Sequence, residues 1–187
     1  GWFPSWTAGQ MVPWESRNEY HFLLCAEVTP SIASIQAQPL KLQFELDGRV
    51  VRYTPDYGLS QGGESLLVEV KPADVASTDE AQAFFAAAGQ AAAECGYAYE
   101  VVTDTQLKSG YRLANAIEIV RLAVPHEQPD LRARILSDIA DGKHVLGEVA
   151  PDPNAKRWQL YAMCRRGELI VDHGKPLGPG TNLSFAA

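Results

Sequence analysis

Apolar residues fall along the chain in short blocks whose period switches between two and about three and a half, and the switches mark the elements. "ESRNEYHFLLCAE", Glu15 to Glu27, reads as a helix that Pro30 prevents from continuing. "SIASIQA" is a short strand, and "LKLQFEL" alternates apolar with polar and is answered by "VVRYT" across an Asp47-Gly48 turn. "LLVEVK" is apolar nearly to its end, the pattern of a buried central strand, and Pro72 closes it. "TDEAQAFFAAAGQAAAECG" is an alanine-rich helix with an acidic start and a stop at Gly96, followed by the strand "YAYEVVTD". Strand, helix, strand predicts parallel neighbours joined by a right-handed crossover.

"RLANAIEIVRLAV" is a further helix ended by Pro125. From Pro129 the character changes. "DLRARILSDIA" is a short helix and "HVLGEVA" a turn of helix or a strand. "RWQLYAMCRRGELIVD" is a helix or strand running into a glycine-turned ribbon, with "HGKPLGPGTNLSF" as loop. The opening "GWFPSWTAGQ" reads as an irregular arm. The expected organisation is α/β, with an arm over 1–12, a main domain over 13–125 and a small winged-helix-like unit over 126–187.

Composition narrows the class. Of 187 residues, 46% are apolar and 21% charged, as in an ordinary globular protein. No apolar run has the length of a membrane span and no secretory leader is read, so a cytoplasmic setting is expected. Cys25, Cys95 and Cys164 are isolated and odd in number, which argues against a disulfide framework or zinc knuckle and for a reducing compartment. His21, His126, His144 and His173 show no metal-binding grouping. A net charge of −7 and a pI near 5.1 argue against a protein that grips nucleic acid unaided. The charge is uneven, however. Between Lys156 and Lys175 five basic residues face two acids, Glu168 and Asp172.

The densest chemistry lies in "YTPDYGLSQGGESLLVEVK", Tyr53 to Lys71. Asp56 follows a proline at the end of one expected strand, and Glu69-Val70-Lys71 closes the next. Residues i and i+2 of a strand share a face, so Glu69 and Lys71 project together while Val70 points to the core. With Asp56 on the neighbouring strand, two carboxylates and an ammonium converge. That set suits phosphodiester hydrolysis: acids hold one or two Mg²⁺ ions, and a lysine positions or charge-stabilises the water. The plainer reading is a solvated Glu/Lys pair on a strand face. Against it, Glu69 interrupts an otherwise buried run, and a buried acid needs a partner.

"ESRNE" opening a helix, "QAQPL" before a hairpin, "RYTPDY", "EVK", the alanine-rich helix and "YEVVTD" occur in that order. The series resembles the TnsA endonucleases, DNA-cutting subunits of heteromeric cut-and-paste transposases with the PD-(D/E)xK, or restriction-endonuclease-like, fold. It covers roughly Pro13 to Val124. The resemblance implies a mixed sheet flanked by helices, with Glu19, Asp56, Glu69 and Lys71 as catalytic residues. Glu19, Asp56, Glu69 and the Val70 carbonyl would hold Mg²⁺, for which Mn²⁺ would substitute. Gln38 is a possible accessory, placing its amide near the site or only satisfying backbone groups before Pro39. Glu19 has a competing role, because Ser16-x-x-Glu19 is also a capping-box pattern. Implied partners are the DNA of the transposon ends, a DDE-type transposase that handles the 3′ ends, and an AAA+ regulator contacted by the C-terminal unit. The alternatives are a stand-alone restriction or repair nuclease of the same fold, and a non-catalytic adaptor that binds DNA or protein.

Overall fold

The computed structural model describes residues 1–152 and 155–186. It divides into two compact units: Gly1–Leu23 with Ser31–Leu107, and Leu24–Pro30 with the chain from Lys108 onward.

The first unit opens on a hairpin rather than the irregular arm expected. β1 (Trp2–Ser5) pairs antiparallel with β2 (Gln10–Pro13), Phe3 opposite Val12. Both are 1% exposed, so two inward-facing apolar residues in a short alternating pattern are enough to pin the strands. Helix α1 (Arg17–Glu27) follows, its first part counted with this unit and its end with the second. The main sheet is built from β3 (Ile32–Ala37), β6 (Tyr57–Gln61), β7 (Glu64–Lys71) and β8 (Ala98–Thr103), in that spatial order. β3–β6 and β6–β7 are antiparallel, while β7–β8 is parallel. A hairpin of β4 (Leu42–Leu46) and β5 (Arg49–Tyr53) forms its own two-stranded sheet. Its turn puts Asp47 and Gly48 at φ 51° and 72°, the left-handed conformations that an Asp-Gly hairpin turn requires.

The parallel β7–β8 pair is joined through a short helix α2 (Ala73–Ala76) and the alanine-rich α3 (Asp79–Glu94). Thr78 caps α3 by accepting from the Ala81 amide, and Gly96 at φ 82° ends it. Small side chains let α3 lie close to the sheet. Ala91 and Ala92 pack with Leu42 and Leu67, and Phe44, Tyr53 and Tyr99 close the cluster. The architecture is thus α/β, a mixed four-stranded sheet with flanking helices.

The second unit is mostly helical. After α4 (Asp104–Lys108) come α5 (Arg112–Leu122), α6 (Pro129–Ala140), α7 (Leu146–Val149) and α8 (Ala155–Arg165). β9 (Leu169–Val171) then pairs antiparallel with β10 (Leu183–Phe185). Part of the tail read as loop is therefore a strand, held by Leu183 burying beside Leu169 and Val171. The compact units also divide at Leu107/Lys108, ahead of the boundary expected near 125, because α5 packs on α8. α8 is the centre of this unit: Gln159 through Arg165 are all buried, against α5, α6 and β9.

Two of the five basic residues of that stretch are paired with acids. Arg165 Nε donates to Glu27 Oε1 at 2.9 Å and Lys156 Nζ to Asp138 Oδ2 at 2.6 Å. Cys25 and Cys164 are buried free thiols, pushed up by that burial to about 11 and about 12. Cys95 is exposed and also free. Among the described residues no helix is long and apolar enough to cross a membrane.

Candidate functional site

Pro55 cannot donate to a ladder, and β5 ends at Tyr53. Asp56 accordingly sits just before β6 rather than at the end of the preceding strand. It is nonetheless next to β7. Tyr57 is in register with Val68, and Asp56 Oδ2 accepts the Val70 N–H at 2.8 Å. That hydrogen bond spans the acid and the Glu69-Val70-Lys71 triplet, the juxtaposition the sequence pattern required.

On β7 the alternation holds. Val70 is buried, and Glu69 and Lys71 share the opposite face, with Lys71 Nζ 2.6 Å from Glu69 Oε1. Glu69 is 4% exposed, so Lys71 supplies the partner that a buried acid needs. The second oxygen, Oε2, accepts from the Tyr53 hydroxyl, which lies 3.0 Å from the Tyr99 hydroxyl. Tyr53 comes from β5 and Tyr99 from β8, so the hydroxyl that holds Glu69 is itself backed by one from a different sheet.

Glu19 enters from α1. Its Oε2 accepts the Glu15 N–H at 2.9 Å and lies 3.5 Å from the Tyr57 hydroxyl, while its own amide donates to Ser16 Oγ at 3.2 Å. The capping expectation is met in altered form, with the carboxylate reaching Glu15 rather than Ser16. Tyr57 in turn donates to the Pro13 carbonyl at 3.0 Å, tying α1 and β2 to β6. Gln38 has φ 47° and donates its amide to the Asp56 carbonyl at 2.9 Å, so its backbone fixes the turn on which Asp56 stands. Gln38, Glu19, Asp56 and Tyr57 line a cleft of about 40 Å³.

These groups form one electrostatic system. Burial is the main cause that pushes the Asp56 carboxyl up to about 6; the Val70 hydrogen bond and Lys71 oppose it, and the charges of Glu69 and Glu19 add to it. Burial works against the Lys71 ammonium, but the Glu69 hydrogen bond and the charges of Glu69, Asp56 and Glu19 hold it above its ordinary value. Burial and Glu69 keep Tyr53 far above the usual phenol range, and burial with Glu19 and Asp56 does the same for Tyr57. Three carboxylates therefore outnumber one ammonium, and all three tyrosine hydroxyls remain protonated donors or acceptors.

Among the described residues no three His, Cys, Asp or Glu side chains are gathered in ligand geometry. Each acid is turned to a protein donor: Glu69 to Lys71 and Tyr53, Asp56 to Val70, Glu19 to Glu15. The donor chemistry still fits Mg²⁺. The groups are hard oxygens, and a carboxylate has about four lone-pair sites, more than these contacts use. Burial, the main cause of the raised Asp56, disfavours its charged form, the Glu69 and Glu19 charges add to that, and a cation would offset both.

Sequence reasoning missed Tyr53, Tyr57 and Tyr99. The available signal was that Tyr53 and Tyr57 flank Asp56 in "YTPDY", but nothing local ties Tyr99 to them. Thr103 and Asp104 serve helix starts: Thr103 Oγ1 accepts the Gln106 amide at 3.4 Å at the start of α4, and Asp104 Oδ1 accepts the Ala73 amide at 2.9 Å at the start of α2. The chain matches no protein-family model and no curated protein.

Proposed function

We propose that this chain is a metal-dependent DNA endonuclease of the restriction-endonuclease-like fold, the subunit of a heteromeric cut-and-paste transposase that hydrolyses the 5′ ends of the element. The observation that carries the reading is the Asp56–Val70 hydrogen bond. It sets an acid on one strand beside the Glu69-Val70-Lys71 triplet of the next, with Glu19 close enough to act on both. The mixed sheet with flanking helices is compatible with that fold.

Asp56, Glu69, the Val70 carbonyl and Glu19 would hold Mg²⁺, or Mn²⁺ in its place. Bound there, the ion supplies Lewis acidity and an activated water at the scissile phosphorus. The remaining work falls to the chain. Lys71, kept protonated by its acidic neighbours, sets a fixed positive charge where negative charge develops on the phosphate. Tyr53, backed by Tyr99, orients Glu69, and the Val70 amide orients Asp56. Water attacks directly, so cleavage leaves 3′-hydroxyl and 5′-phosphate ends with no covalent intermediate.

The net charge of −7 supports delivery of DNA by partners, a DDE-type transposase and an AAA+ regulator, in a bacterial cytoplasm at the nucleoid. The second unit, helices followed by a two-stranded ribbon, is the winged-helix-like part of this reading. The helix before its ribbon, α8, is buried from Gln159 to Arg165, which argues against groove reading by that stretch. Nicking of a plasmid carrying element ends, by the chain reconstituted with both partners and Mg²⁺, tests the proposal. Lys71→Ala and Asp56→Asn abolish the 5′ cut and leave the 3′ cut if it holds. Cleavage of plain DNA without partners would place the chain among stand-alone nucleases.

A second reading has its own observation. Both Glu69 oxygens are engaged, by Lys71 and Tyr53, as in a network that serves only the fold. A non-catalytic adaptor predicts that neither Mg²⁺ nor Mn²⁺ binds, with or without DNA.

A further inference from the structure

Beside the carboxylate cluster lies a second, larger cavity of about 460 Å³, within the roughly 300–1,000 Å³ usual for ligand pockets. Glu69 and Lys71 belong to its lining. Its apolar wall is assembled from three elements: Leu46 ending β4, Val75 of α2, and Phe84 and Phe85 of α3. Val75 is 47% exposed, so this wall faces solvent.

The aromatic part of the wall is fixed in place. Phe84 packs edge-to-face on Phe44 and Tyr53, with centroids 5.4 and 5.1 Å away. Phe85 meets the Phe84 ring at 5.8 Å. Tyr53 is also the residue that holds Glu69, so one aromatic group supports both the pocket wall and the carboxylate. The polar lining is selective. Glu80 offers an acceptor and, as an acid, disfavours a phosphate beside it, while Lys71, ion-paired with Glu69 at 2.6 Å, is the one cation among the described residues of the lining. Phe84 and Phe85 stand at 83° to one another, so a flat ring stacks on one of them against the edge of the other, and a ring bearing an exocyclic amino group and attached to a phosphate matches the Glu80 acceptor and the Lys71 cation.

We infer that this pocket receives one unstacked nucleobase of the DNA strand whose phosphate lies at Lys71, stacking it against the Phe84–Phe85 wall with Glu80 accepting from its amino group. The inference rests on the endonuclease reading for the strand that passes Lys71, and it adds to that reading a single base held out of the duplex. Stacking on aromatic side chains tolerates any base, and an acidic acceptor favours amino-bearing bases over thymine. Unstacking costs least at a mismatch, a bulge or an end, so such DNA is the preferred substrate.

The test compares two duplexes that differ by one base: one with a single bulged cytidine, the other with an abasic nucleotide at the bulge. Affinities are read by fluorescence anisotropy in Ca²⁺ on the chain reconstituted with both partners, which deliver the DNA. In that assembly the full chain binds the cytidine bulge about tenfold more tightly, the worth of one stacked base. Phe85→Ala, which removes the wall, and Val75→Trp, which fills the pocket from its exposed side, both erase the difference. Equal affinity of that assembly for the two duplexes, or a difference that survives both variants, overturns the inference.

Calorimetric Mn²⁺ titration of the same proteins keeps the two readings apart. Mn²⁺ binding with no base preference refutes the pocket and leaves the endonuclease. A base preference without Mn²⁺ binding, even with duplex present, upholds the pocket and refutes the endonuclease.

Discussion

Glu27 and Glu69 are both buried acids, 2% and 4% exposed, yet their surroundings answer different demands. Glu27 meets Arg165 at 2.9 Å, and the arginine is itself only 6% exposed. A buried anion faces a buried cation. Glu69 meets Lys71 at 2.6 Å, but the lysine side chain is 36% exposed, and Asp56 and Glu19 add negative charge alongside. The first arrangement is balanced and closed. The second is open on one side and short of positive charge. Burial of an acid is therefore not in itself a sign of function; the imbalance around it is.

The comparison breaks most visibly under substitution. Arg165→Ala removes a buried cation from a buried carboxylate and is expected to cost about 3–5 kcal/mol in denaturant unfolding. Glu69→Gln leaves a half-exposed lysine that water can solvate, and keeps an acceptor for Tyr53. Its cost is expected to be about 1 kcal/mol. Equal losses would erase the distinction between the two acids.

The next effect is on pH. Asp56 has a folded pKa near 6 against an ordinary 3.8, so between those values the folded state binds more protons than the unfolded. Stability of the metal-free protein then falls as pH rises from about 4 to 6 on account of this group, and levels off above. Asp56→Asn keeps an acceptor for the Val70 N–H and is expected to flatten that part of the profile, as followed by thermal unfolding at fixed ionic strength. A steeper fall in the variant would show that the excess charge lies elsewhere.

The smallest effect sharpens the role of the tyrosines. Tyr53→Phe deletes one hydroxyl from Glu69 and leaves the ring packed on Phe84, so it is expected to cost about 1 kcal/mol. The readout that matters is catalytic. If Tyr53 orients Glu69, reconstituted cleavage falls while DNA affinity stays within about twofold, in keeping with an interaction felt chiefly in the transition state.

What the sequence made legible follows from how local each feature is. β7 and α3 were readable because an apolar run between turn residues and an alanine-rich stretch with a threonine cap carry their own period. The shared face of Glu69 and Lys71 follows from strand geometry alone. Asp56 was placed beside them in the right neighbourhood but on the wrong strand end, because Thr54-Pro55 breaks the ladder and the chain turns before β6. Tyr99 stands 46 residues from Tyr53, and no periodicity links them. The division of α1 between the two units was equally hidden. Glu27 finds Arg165 across 138 residues, and helix propensity has no means of marking that change of company. Short strands at both ends escaped for a related reason: β1 and β10 are four and three residues long, too brief for alternation to register.

The central claim is that Asp56 and Glu69, with Glu19 beside them, form a cation site at the start of β6 and the end of β7. Calorimetric titration of Mn²⁺ into the full chain and into Asp56→Asn tests it most directly, each with and without a DNA duplex. The account predicts saturable binding to the unmodified chain and its loss in Asp56→Asn, with thermal unfolding of the two proteins within a few degrees. Absence of binding even with duplex present, or equal binding by the variant, would contradict it and leave the cluster as a hydrogen-bonded support for the fold.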